Sequence, residues 1–207
     1  TFYYSNSVNT PKYHPGSDII IDANDINYNI EDIQSKDEKI TLSSSFIKST
    51  RSTNWLIKRT IDNISLGYSA IKNNKSDSQI KSQIKQDFQV TGSYTYKWGK
   101  ENYFSPFKFT KDWLILGNIF SQARYYYTPD KFITSIQFNE SDMVTVQRSS
   151  LSETETYSFY MQRKFIIDHK FTKSFSSKVT RQIDSNLESF RSNKWQIIKD
   201  MNPGQIV

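Results

Sequence analysis

Residues 86–98 alternate between apolar and polar side chains more regularly than any other part of this chain. From Phe88 to Trp98 the even positions carry rings or aliphatic groups, apart from Gly92, and the odd positions are all polar. Successive side chains of a strand point to opposite faces, so this period of two predicts a β-strand. Globular strands usually stop at about six residues. This one spans roughly 36 Å, enough at a tilt of ~45° to cross the ~25 Å apolar band of an outer membrane.

The same alternation predicts about five further strands after residue 60. They are expected at 64–70, 123–127, 132–139, 157–168 and, more weakly, about 174–188. No amphipathic helix is predicted among them. The pattern indicates an all-β fold of long antiparallel amphipathic strands in a meander, part of a transmembrane β-barrel. The alternative is an antiparallel sandwich whose strands bury one face in protein.

The N-terminal part of the chain differs from the rest, because two prolines and a glycine at 11–16 interrupt regular structure. Short strands are predicted there at 19–21 and 40–46. No signal peptide is visible at the start, and the last residues lack a closing aromatic strand, so both ends are expected to be cut. The predicted organisation is an irregular N-terminal segment or incomplete hairpin at 1–50, a barrel segment of about six strands at 51–200, and a truncated tail at 201–207.

Connection lengths predict which side of the membrane each connection occupies, because outer-membrane barrels have short periplasmic turns and longer extracellular loops. The sequences TPDK (128–131) and HKFTK (169–173) are short and predicted to be periplasmic. The segments 73–83, 99–117 and 140–155 are predicted to be long loops, the last two extracellular. The 99–117 segment is too apolar for a free loop and is expected to pack on another part of the protein.

Composition supports membrane strands over a soluble α/β enzyme. Aromatic residues reach 15% while hydrophobic residues are only 36% of the chain. Rings near strand ends are typical of the membrane interface, and no stretch approaches the ~18 apolar residues of a transmembrane helix. The net charge of +6 comes from Lys and Arg spread over polar faces and loops, so no nucleic-acid partner is predicted. With no cysteine there is no disulfide framework or thiolate metal site.

No catalytic, cofactor-binding or metal-binding residue is predicted. His14 and His169 stand apart from other metal-ligand residues, and no phosphate-binding or nucleophile motif occurs. Glu153 and Glu155 share a strand face, but Ser and Thr surround them, so they are interpreted as solvated. The aromatic and basic run 95–104 is interpreted as an interface girdle with snorkelling lysines rather than a base-stacking surface.

Particular phrases carry a family resemblance over about 54–190, most of the chain. They are NWLIKRTIDNISLGYSA (54–70), WGKENYFSPFKF (98–109), LGNIFSQARYYYTPDKFITSIQFN (116–139) and FYMQRKFIIDHKFTKSFSSKVT (159–180). In these segments the chain resembles the SprA family of large outer-membrane proteins, found in the type IX secretion system of Bacteroidetes and associated with gliding motility.

The resemblance implies a fragment of a very large barrel that passes folded protein cargo to the cell surface. It implies outer-membrane lipid, secreted cargo, and accessory lipoprotein and plug-type proteins as partners, and it implies no catalytic residues. A small porin-type or adhesin-type barrel and a soluble β-sandwich binding module remain alternatives. On the barrel interpretation Tyr94, Tyr96 and Phe159 should face lipid, not a second layer of the same polypeptide.

Overall fold

The computed structural model describes residues 1–10, 34–98, 102–112, 121, 123–199 and 205–206. In these residues ten strands form an eight-stranded and a two-stranded sheet. The strands are β1 (Phe2–Asn9), β2 (Ser35–Ile47), β3 (Ile64–Ser76), β4 (Ile80–Lys97), β5 (Tyr103–Phe104), β6 (Tyr125–Tyr126), β7 (Lys131–Gln147), β8 (Glu153–Lys170), β9 (Ser176–Asn186) and β10 (Gln205–Ile206).

The large sheet is an antiparallel meander with the strand order β1-β2-β3-β4-β7-β8-β9-β10. Each strand pairs with the next one along the chain, except that β5 and β6 pair separately between β4 and β7. The predicted all-β antiparallel meander is therefore confirmed. Within the described residues β1 and β10 do not pair with each other, so the sheet is open there.

The central strands are longer than the alternation predicted. β4, β7 and β8 contain 18, 17 and 18 residues. The segments 73–83 and 140–155 were predicted as long loops, and that prediction is wrong: β3 and β4 are joined by residues 77–79, and β7 and β8 by 148–152. Their few apolar residues do not alternate regularly with the polar ones, so alternation does not reveal these segments, and backbone ladder bonds hold them as strands.

Two ends of the sheet differ in their connections. Residues 77–79 and 148–152 lie at one end, called here the turn end, and residues 48–63 and 171–175 lie at the other, called the loop end. Residues 98–130 begin and end at the loop end as well, because Lys97 is paired with Lys131. The prediction that 99–117 and TPDK lie on opposite sides of a membrane is therefore wrong.

Other predicted strands differ from the observed ones in length or in the sheet to which they belong. The strand expected at 123–127 is only β6, which pairs with β5 outside the large sheet, so the apolar 99–117 segment does contact another part of the chain. The strand expected at 40–46 is the longer β2, which forms a hairpin with β1 that continues the large sheet. Residues 11–33, with the strand predicted at 19–21, lie outside the described residues.

Short helices occupy the connections. A helix, α1 (Trp55–Arg59), and a 3-10 turn (Ile61–Asn63) lead into β3, where the Asn54 side chain accepts a hydrogen bond from the Leu56 N–H and caps α1. Further short turns lie at Lys108–Asp112, Glu188–Phe190 and α2 (Gln196–Lys199). None of the described helices is long and apolar enough to cross a membrane.

The buried core is small and lies on one face of the sheet near the turn end. Residues 187–199, called here the C-terminal segment, fold back over β8, where Leu187 and Ile197 bury Phe159 and Met161. The backbone N–H of Leu187 donates to the Phe159 carbonyl at 2.7 Å and holds the segment against the strand. The rest of this face has no such cover among the described residues.

Candidate functional site: the two faces of the sheet

The strand register sorts the side chains into two unlike faces. Residues directly opposite each other in adjacent strands point to the same face, so rows of side chains can be followed across the sheet. One such row is Phe46–Leu66–Gly92–Ile136, and the next towards the turn end is Ser44–Tyr68–Val90–Phe138. The surface made by these rows is called the apolar face.

The apolar rows form a band of limited height. It begins towards the turn end at the row Leu42–Ala70–Phe88 and reaches Tyr96–Phe132–Ile167–Val179 at the loop end. In β4 this is the nine residues Phe88–Tyr96, or ~30 Å along the strand, which at a tilt of ~40° gives a band ~23 Å tall. The next row towards the turn end carries Lys72, Gln86 and Asp142 in β3, β4 and β7, with Ile40 in β2.

Much of the apolar band is open to its surroundings. Leu66 is 53% exposed and Val90 45% exposed although both lie in interior strands of the sheet. Exposed neighbours on the same face are Leu42, Phe46, Tyr68, Phe88, Ile136, Phe165, Ile167 and Val179. Soluble monomers rarely expose a contiguous apolar surface of this kind, and it marks a surface that contacts another apolar phase or partner.

The band is interrupted at its β8–β9 side. Arg163 lies opposite Ile136 and Ile183 on the apolar face, where its guanidinium donates to Ser185 Oγ at 3.1 Å. Arg181 lies one row nearer the loop end, opposite Phe165. The band therefore covers β2, β3, β4 and β7 with the loop-end half of β8, interrupted by Ser44, Thr134 and, at its border, Glu140, and it weakens at β9.

Of the three rings expected to face lipid, one is covered by protein. Phe159 is only 6% exposed because the C-terminal segment packs on it, so the expectation is wrong at that position. Tyr94 and Tyr96 are half-buried and lie at the loop end, where Tyr94 contacts Phe132 and Tyr96 contacts Trp98 edge-on. Phe159 lies at the turn-end border of the band, where the face changes from apolar to polar.

Ion pairs fasten the C-terminal segment to this border. Arg191 bonds Asp142 at 3.0 Å and also contacts Glu155, while Lys194 bonds Glu140 at 2.5 Å. Tyr157 donates from its hydroxyl to Glu140 at 3.1 Å. Glu155, a carboxylate considered in the sequence for acid–base chemistry, is thus half of an ion pair with Arg191.

The opposite surface, called the polar face, carries mostly hydroxyl and amide groups. Gln89 and Gln137 both donate to Asn139 Oδ1, at 3.1 and 2.9 Å, and Ser65 and Ser93 share a hydrogen bond of 2.6 Å across β3 and β4. Further cross-strand bonds join Gln83 to Thr145 and Ser141 to Asp87. The face is therefore hydrophilic, and many of its side chains bond one another across neighbouring strands.

Aromatic side chains gather at the loop end. His169 stacks on Phe171 with ring centroids 4.0 Å apart, and its Nε2 is 3.0 Å from the Tyr126 carbonyl. Phe171 also stacks on Phe175 and contacts Tyr125. His169, which the sequence placed at a turn, therefore lies near the end of β8, where it pairs with Ser177 and packs on Phe171. His14 lies outside the described residues, and in the described part of the chain no three His, Asp or Glu side chains group together as metal ligands would.

A buried carboxylate, that of Asp62, bonds to residues at the start of the connection between β2 and β3. Asp62 accepts from Lys48 Nζ at 2.5 Å and from the Ser52 backbone N–H at 2.6 Å. The Lys48 hydrogen bond, followed by that from Ser52, holds the pKa of Asp62 below its usual value. The charged carboxylate thus ties both ends of this connection together.

No protein-family model matches the chain, and no curated protein matches it significantly. The geometry of the two faces therefore carries the functional argument.

Proposed function

We propose that this chain is a segment of an outer-membrane protein-conducting β-barrel that moves protein cargo to the cell surface, as in a type IX secretion translocon. The apolar face contacts lipid and the polar face lines an aqueous passage. The observation that carries the proposal is the exposed apolar band of interior strands, whose height of ~23 Å in β4 is close to the ~25 Å of an outer-membrane apolar belt. The nine residues that the band occupies in β4 also lie within the ~9–11 residues that a tilted membrane strand needs.

The remaining features agree with this placement. The loop end of the band is rimmed by Tyr and Trp rings, which favour the membrane interface because one side of each ring is apolar and the other polar. Beyond the turn-end border the strands continue with more polar side chains, such as Lys72, Gln86 and Asp142, although Ile84 and Val144 lie opposite each other one row further on. The polar face offers cargo bonded amides and hydroxyls instead of an adhesive apolar surface. The function remains non-enzymatic in this proposal.

Cysteine scanning of adjacent positions in β4 tests the lipid contact. The chain has no cysteine, so single substitutions at Phe88, Gln89, Val90 and Thr91 can each be labelled with an environment-sensitive fluorophore. After refolding into neutral phosphatidylcholine vesicles, labels at 88 and 90 should be quenched by brominated lipid, and labels at 89 and 91 by aqueous iodide. Gln86, beyond the border on the same face, is the matched control and should respond to iodide.

A soluble sandwich predicts a different result in the same assay. If positions 88 and 90 are shielded from both quenchers, a protein layer covers the apolar face and the proposed function is lost. If the alternation is found but the full-length protein adds only a few further strands, the small porin-type barrel is the better interpretation.

A further inference from the structure

A basic cavity lies at the loop end of the apolar band. It has a volume of about 630 Å³ and is formed by the connection between β2 and β3 together with the last residues of β4. Among the described residues, four cations line it, Arg51, Lys58, Arg59 and Lys97, and one carboxylate, that of Asp62. That carboxylate is already bonded to Lys48, so the cavity is strongly positive.

The cations are held in place by the local structure. Trp55 and Arg59 are four residues apart in α1 and so lie on one side of the helix, where the guanidinium sits 5.8 Å from the indole centroid. The Tyr94 hydroxyl donates to the Arg59 carbonyl at 2.6 Å and ties the end of α1 to β4. Together with the Asp62 bonds, this fixes the helix beside the strand end.

The described residues around the cavity do not neutralise it. Within the described residues, Arg51, Lys58, Arg59 and Lys97 form no ion pair with an acidic side chain. Four cations this close together repel each other, which favours a bound anion. A phosphate group suits them, because guanidinium and ammonium groups donate several hydrogen bonds to its oxygens.

The position of the cavity indicates the level, relative to the apolar band, at which a bound phosphate would lie. Tyr96, in the last row of the apolar band, lines it, and so does Trp98. Trp55, which also lines it, is 66% exposed. A group bound here lies at the level where the apolar band ends, which is the level of phospholipid headgroups if the band is in lipid.

The geometry points to a binding site for a phosphate group, carried by the headgroup of an anionic lipid, between α1 and the end of β4. The source of the phosphate rests on the proposed function, because only a membrane-inserted sheet brings the cavity to headgroup level. The charge and shape of the cavity do not depend on it, and a soluble phosphate ester presents the same chemistry.

The test compares two triple variants of the 207-residue chain in neutral detergent micelles. Arg51→Gln/Lys58→Gln/Arg59→Gln removes three charges at the cavity. Lys39→Gln/Lys72→Gln/Lys81→Gln removes three charges near the turn end and is the matched control. Binding of dioleoyl-phosphatidylglycerol and of dioleoyl-phosphatidylcholine is measured by native mass spectrometry, with glycerol 3-phosphate and inorganic phosphate as soluble competitors.

The unmodified chain should prefer phosphatidylglycerol to phosphatidylcholine, and the preference should decrease with salt because the cations are exposed. Each basic residue near a headgroup contributes about a factor of five, so the cavity variant should bind roughly 100-fold more weakly while the control is unchanged. Displacement by millimolar glycerol 3-phosphate or inorganic phosphate would support the site with a soluble phosphate as its source.

No preference in the unmodified chain, or equal losses in both triple variants, would overturn the proposal. Lys58→Gln alone, an exposed change in α1, should weaken binding about five-fold and keeps the test valid if the triple variant does not fold. The cysteine-scanning experiment uses neutral vesicles without anionic lipid, so its failure would contradict the proposed function without deciding phosphate binding in micelles.

Discussion

A charge placed on the apolar face distinguishes a lipid-facing sheet from a water-facing one. Leu66 lies in the middle row of the band, between Phe46 and Gly92, and is 53% exposed. We propose the substitution Leu66→Arg. Ser45→Arg is the matched control, because Ser45 is exposed on the polar face at the same height, opposite Gly67.

The free-energy cost expected for Leu66→Arg is larger in lipid than in water. An arginine on the lipid face near the bilayer midplane destabilises a membrane barrel by about 2–4 kcal/mol, which is roughly a 30- to 800-fold change in the folding equilibrium. In water the same substitution at a half-exposed surface position costs within about 0.5 kcal/mol. Ser45→Arg should cost within about 0.5 kcal/mol in either environment, since its side chain reaches water on both interpretations.

The assay is urea unfolding from neutral phosphatidylcholine vesicles, followed by the fluorescence of the tryptophans, of which the chain has four. Folding free energies of both variants are compared with that of the unmodified chain. Equal, small effects for Leu66→Arg and Ser45→Arg would refute the reasoning, because they would mean that the apolar band does not contact hydrocarbon.

Three further predictions concern packing and charge. Gly67→Ala should destabilise the sheet by about 1–3 kcal/mol in urea unfolding, since the new Cβ would lie 2.5 Å from Thr91 Oγ1; Thr91→Ala in the same chain should restore most of the loss, and no restoration would show that another contact is responsible. Leu187→Ala, at a position that is 0% exposed, should cost about 2–5 kcal/mol and speed tryptic cleavage of the C-terminal segment; unchanged cleavage would mean that the segment is held by its ion pairs alone. The pKa of Asp62 is lowered by Lys48, so the bonds that close the β2–β3 connection should contribute stability above the unfolded pKa of about 4 and lose it as pH falls through the lower folded pKa. The unmodified chain should lose that stability on acidification while Asp62→Asn shows no corresponding change, as followed by tryptophan fluorescence; identical profiles would contradict this.

Alternation along the chain was enough to find most strands of the sheet. The predicted segments 64–70, 132–139, 157–168 and about 174–188 lie mainly in β3, β7, β8 and β9, and 86–98 lies almost wholly in β4. These are the stretches where one face is apolar and the other polar, and such contrast exists only where the two faces meet different surroundings. The same contrast predicted the exposed apolar band itself.

The turn-end halves of the strands could not be found in this way. Residues 80–87 and 140–147 are polar or mixed on both faces, and in the sequence they look like loops. They become strands because each finds a partner across the sheet, with bonds such as that from Ser141 to Asp87 at 2.6 Å. Pairing between distant residues leaves little trace in local composition.

Sequence alone determined the strand periodicity, the antiparallel all-β class and the chemical character of the two faces, because each depends on the order of neighbouring side chains. Only the tertiary structure decided that the C-terminal segment covers Phe159 and that α1 and the end of β4 share a basic cavity. Both arise from contacts between residues far apart in the chain, which a local pattern does not encode.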